Sequence, residues 1–234
     1  MKFTWINKII CKDLYAPFIL EKDIDYYDNL SKKYKILLEK AIKAGADIES
    51  IKIIKKYKEK ILEVLRCYYQ ADTIKSSIMI KNLLKDVGED KIAVSNLFSS
   101  CAFSGYTTTN EIQFFRSRTG NLANSFSIKD MMYLPKSLRS KSGNYRFSIP
   151  GSPSLYLSNS SYGCWIETGF PADIDFNVSP ILLDGEQKIF NLVVSIRDFS
   201  NLNDAECSKV HTWLKLMMLM IATSYRIKEE NRFI

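Results

Sequence analysis

At 234 residues, 46% hydrophobic and 25% charged, the chain has an ordinary globular composition, enough for one large domain or a small module plus a medium one. Five scattered cysteines, with no C-x-x-C pair and a single histidine (His211), argue against a disulfide framework or a zinc site. Reduced thiols in the cytoplasm are the expectation, and no stretch reads as a secretory signal or a membrane span.

The net charge is +7, and its distribution says more than its size. Residues 1–91 hold 19 basic and 14 acidic residues. Between Arg116 and Arg146 seven basic residues stand against one acid, Asp130. That short cationic focus suits a compact anion, with a polyanion as the alternative.

In chain order, Asp28 to Ala44 has helical apolar spacing, with Gly45 as the expected stop and Asp47 as the next N-cap. A second helix is expected to about Tyr69 and a third from Thr73 to Val87, ending at Gly88. Ala93 to Phe98 reads as a short helix or loop. The texture then changes: Ile112 to Arg118 reads as a strand, Ser154 to Leu157 as a short strand, and Ser161 to Glu167 as a helix start. Lys188 to Ile196 reads as a buried strand and Asp204 to Thr223 as an apolar helix. The expected division is a helical N-terminal region, 1–100, followed by a second domain, 101–234.

Four features between Arg116 and Glu167 bear on chemistry. Strand alternation puts Arg116 and Arg118 on one face, where two guanidiniums suit a diphosphate; two surface arginines are the structural alternative. Gly143 to Gly151 is a loop with glycine at both ends and Arg146 inside; a plain connection is its alternative. Tyr156 can stack on a ligand ring or simply pack. Glu167 is an acid in an apolar stretch, explained by capping, by pairing to an arginine, or by stabilising a sugar cation.

Taken in order, Phe115-Arg116-Ser117-Arg118, then Tyr145 to Leu157 (YRFSIPGSPSLYL), then Ser160 to Glu167 (SSYGCWIE) resemble the RES domain, a family named for arginine, glutamate and serine. The similarity runs from about Gln113 to Ile234, more weakly through Lys188 to Val194 and Leu219 to Lys228. It implies an α+β chain whose second part is a mixed sheet flanked by helices, akin to ADP-ribosyltransferases. It also implies a bacterial toxin that cleaves the nicotinamide–ribose bond of NAD, by water or phosphate, and is restrained by an antitoxin.

By position the resemblance assigns Glu167 and Arg146 to catalysis, and Arg116, Arg118, Tyr156 and Ser148 to holding the dinucleotide. It requires no metal and no cofactor, NAD being the substrate. Ile166 stands where many relatives carry a second acid. The family's serine lies beyond a C-terminal stretch that would begin at Arg232 to Ile234, so an incomplete domain is expected, slow or inactive as it stands. The elements from Lys188 to Thr223 are then expected to show an exposed apolar edge, and self-association follows from it. Two other functions stay open: a non-catalytic nucleotide-binding protein, and a nucleic-acid-binding module built on the lysine-rich helices.

Overall fold

A computed structural model describes residues 5–9, 14, 17–20, 24–88, 93–97, 111–120, 126–132, 154–192 and 207–227. The architecture is α+β, helices with small two-stranded ladders. In order the elements are α1 (Trp5–Ile9), β1 (Phe18–Leu20), α2 (Tyr26–Lys43), α3 (Ile48–Tyr69), α4 (Thr73–Gly88), β2 (Val94–Asn96), β3 (Glu111–Thr119), α5 (Ile128–Met131), α6 (Ser161–Glu167), β4 (Phe176–Asp184), β5 (Lys188–Phe190), α7 (Cys207–Thr223) and β6 (Tyr225–Ile227).

The chain folds as two compact units, 1–95 with 190–234, and 96–189. These differ from the expected division at 100, because the C-terminal segment joins the N-terminal helices.

In the first unit, α2, α3 and α4 form where their apolar spacing and caps coincide. Asp25 and Asp47 start α2 and α3, their carboxylates accepting from the N–H groups of Asp28 and Ser50. Burial pushes the Asp47 carboxyl up, but the Ser50 amide and hydroxyl outweigh it and hold it below the usual range. Gly45, at φ +85°, ends α2 in a left-handed turn, with Ala46 N–H returning to the Ala41 carbonyl at 2.9 Å.

The core gathers Trp5, Leu30, Tyr34, Ile54, Tyr57, Trp213, Leu214, Met218 and Ile221. Helix α7 is therefore buried on its Val210, Leu214, Met218, Ile221 side, which corrects the expectation of an exposed apolar edge there. Two tyrosines fix its depth: buried Tyr34 donates to the Met218 carbonyl at 2.8 Å and half-buried Tyr26 to that of Ala222 at 2.6 Å. Beyond α7, β6 pairs in parallel with β1.

In the second unit β3 and β4 pair antiparallel over nine residues, from Glu111 opposite Asp184 to Thr119 opposite Phe176. Strand β4 was missed in sequence because Pro180 interrupts it. Its register makes the proline acceptable. Phe115, opposite Pro180, exchanges both backbone hydrogen bonds with Ser158 at 2.8 Å, so it owes none to β4.

Two further expectations are corrected. Ala93 to Phe98 contains strand β2, which pairs with β5, rather than a helix. Ser154 to Leu157 forms no strand; one isolated bridge, Ser158 to Phe115, is what remains of it. Of the expected strand Lys188 to Ile196, β5 accounts for the first three residues, and 193–196 lie outside the described residues. The described strands form three separate two-stranded ladders, where a mixed sheet was expected.

Candidate functional site

Strand β3 is built from β-formers, and alternation sets its two faces. Ile112 and Phe114 are buried on one face in a small cluster with Leu97, flanked by Leu157, Leu183 and Ile189. Arg116 and Arg118 continue that face toward the end of the strand, as the sequence predicts. The register sets Ser179 opposite Arg116 and Asn177 opposite Arg118. Neither neighbour carries charge, so the ladder turns from apolar to cationic along one face. Both arginines are half-buried, with their Nε atoms screened from water.

The one acid of the 116–146 stretch is engaged locally. Asp130 forms a capping box with Ser127 at the start of α5, accepting from its amide at 2.9 Å and its hydroxyl at 2.6 Å. Those bonds, and after them the charge of Arg118, hold its carboxyl below the usual range.

Segment 154–160 reaches β3 through the Ser158–Phe115 bridge. Tyr156, two residues before that bridge, is 41% exposed.

Helix α6 begins at once. Ser160 caps it, accepting from Gly163 N–H at 3.0 Å. Gly163 lies close to Ser158: a Cβ there would meet the Ser158 hydroxyl, which would have to turn aside. Cys164, buried, donates its thiol to the Phe115 carbonyl at 3.3 Å and so seats the helix on β3.

Glu167 follows Cys164 by three residues, on the same side of the helix. It occupies the last turn of α6 and is exposed. Among the described residues it forms no hydrogen bond or ion pair, so neither structural explanation for it, capping or arginine pairing, is met there. A carboxylate at a helix C-terminus opposes the helix dipole, a cost of about 0.5 kcal/mol.

Arg116, Arg118, Tyr156 and Glu167 thus all belong to one compact unit. Arg146 and Ser148 lie outside the described residues. Among the described residues no three histidine, cysteine or acidic side chains gather as metal ligands. No described helix is long and apolar enough to cross a membrane. Sequence reasoning missed Cys164 and Gly163 as the groups that position Glu167. The signal was there in SSYGCW: a capping serine three residues before a glycine and an apolar residue facing inward.

The unit is thus a small α+β module with a cationic strand face and an unpaired acid on the adjoining helix. Over 85 residues the chain is 44% identical to a protein of Bacillus subtilis (strain 168) described as "Putative toxin YopC". That match covers 36% of this chain and 19% of the other, so it spans about a fifth of the relative's length. No family model matches the chain. No solved structure matches it.

Proposed function

We propose that this chain carries a RES-like, toxin-like site that cleaves the nicotinamide–ribose bond of NAD. The observation that carries the reading is the pairing of two half-buried arginines on one strand face with an unpaired glutamate on the helix seated against that strand. The partial likeness to a protein named as a toxin supports it. In this reading the ADP-ribosyltransferase-like sheet and a restraining antitoxin belong to the same proposal.

The roles follow from the chemistry. Cleavage at the sugar carbon passes through a cation-like transition state. Glu167, unneutralised, stabilises that cation and holds ribose hydroxyls. Arg116 and Arg118 hold the pyrophosphate, with Arg146 and Ser148 assigned beside them by resemblance, and Tyr156 packs on a ring. The arginines contribute position more than rate, because a pyrophosphate contact exists before and during the reaction.

The test is NAD incubated with the purified chain, with and without inorganic phosphate, and the products separated. Free nicotinamide with ADP-ribose identifies water as acceptor; free nicotinamide with a phosphorylated ADP-ribose identifies phosphate. Tight NAD binding without nicotinamide release, both by this chain and by one extended with a relative's C-terminal segment, removes the enzyme reading and leaves the nucleotide-binding one.

A further inference from the structure

Two exposed apolar faces lie on segments of opposite charge. The first is the outer side of α4. This helix buries Ser76, Leu83 and Val87. Helical geometry then turns Ile74, Ile78, Lys81 and Lys85 the other way, and Ile74 and Ile78 are 75% and 55% exposed. The one acid of α4, Asp86, is taken by Lys215 and Tyr57 at 2.9 and 2.8 Å. Among the described residues Lys81 and Lys85 have no ion pair. The face therefore combines isoleucine with lysines that have no ion pair among the described residues.

The second face lies on α6 and the turn after it. Tyr162, Ile166 and Phe170 recur every four residues and are exposed, with Trp165 linking the rings at 5.9 Å to Tyr162 and 4.8 Å to Phe170. Phe170 is held in the left-handed region, φ +59°, which an aromatic residue rarely adopts. The segment that carries it is acidic. From Ser154 to Gln187 there are five acids, Glu167, Asp173, Asp175, Asp184 and Glu186, and no lysine or arginine. Among the described residues Asp173 and Asp175 have no ion pair.

We propose that these faces bind each other between two copies of the chain, the isoleucine–lysine face of α4 in one copy covering the aromatic, acid-rimmed face of α6 in the other. Apolar matter meets apolar matter, and the lysines of one face meet the aspartates beside the other. Each face alone is the kind of patch that a monomer seldom leaves open. The complementarity of charge names a second copy as occupant, since one chain supplies both halves. The contact is head-to-tail, so the two halves can be disabled separately.

The experiment is sedimentation equilibrium on the full chain across a wide concentration range and two salt concentrations. One variant carries Ile74→Ser and Ile78→Ser. The other carries Tyr162→Ser and Phe170→Asn, asparagine being tolerant of the left-handed region. The wild type is expected to self-associate, at least tenfold more weakly at high salt. Each variant alone is expected to be monomeric, and the two mixed to give a 1:1 pair, because one intact half remains on each. A second pair guards against misfolding: Lys81→Glu with Lys85→Glu, and Asp173→Lys with Asp175→Lys, each monomeric alone and associating when mixed. A wild type that stays monomeric throughout, variants that associate as the wild type does, or mixtures that remain monomeric overturn the proposal.

Discussion

Among the described residues three helix ends use the same left-handed turn, and two of them have the residue suited to it. Gly45 and Gly169 close α2 and α6 at φ +85° and +84°. Ala71 closes α3 at φ +61°, with its N–H to the Tyr68 carbonyl and that of Asp72 to the Cys67 carbonyl. An L-residue with a Cβ is strained there. Ala71→Gly is expected to stabilise the protein by about 1 kcal/mol, read as a raised denaturant midpoint with unchanged slope. Gly163 is the opposite case, since its restriction is steric crowding by Ser158. Gly163→Ala is expected to cost about 1–3 kcal/mol and to loosen α6, read by thermal melting and by hydrogen exchange of the Cys164 amide. The stop at Gly45 and the cap at Asp47 were legible in sequence because both act on neighbours in the chain. The left-handed Ala71 was not, because nothing in alanine announces it.

Among the elements, α3, α4 and α7 are tied by one polar clamp. Asp86 of α4 accepts from Tyr57 of α3 and from Lys215 of α7, with Lys60 at 3.6 Å. Burial pushes the Asp86 carboxyl up, but the Lys215 and Tyr57 hydrogen bonds and the two lysine charges outweigh it, so it lies below the usual range. A carboxyl with a depressed folded pKa stabilises the fold above the unfolded value of about 4, and that contribution is lost as pH falls through the folded value. Asp86→Asn is expected to destabilise at neutral pH and to flatten the acid limb of stability against pH below about pH 4; an unchanged acid limb counts against the clamp. The long helices were legible because their apolar period repeats over several turns. Strand β4 was not, because Pro180 breaks its pattern and the bridge that accommodates it involves Ser158, remote in sequence. Strand β2 was read as helix or loop because its partner, β5, lies some ninety residues on.

At the scale of the whole molecule, the helical unit is closed by the two ends of the chain. Leu214, Met218 and Ile221 of α7 share a core with Trp5, Leu30 and Tyr34. Leu214→Ala is expected to cost about 2–5 kcal/mol and to lower amide protection in α2 as well as α7, since both face one core. The division at 100 missed this because helix α7 carries apolar residues nearly all round, a pattern that says buried without saying against what. Alternation alone placed Arg116 and Arg118 together, whereas the exposure of Glu167 depended on how Gly163 and Cys164 seat α6. The central claim is that Glu167 acts on the reacting sugar while the arginines hold the phosphates. It is tested most directly by single-turnover nicotinamide release from NAD, with NAD affinity measured in parallel, for the wild type and Glu167→Gln. Glu167→Gln is expected to lower the rate about a hundredfold, equivalent to about 3 kcal/mol, with affinity nearly unchanged. A variant that releases nicotinamide as fast as the wild type, or that loses affinity in proportion to rate, contradicts it.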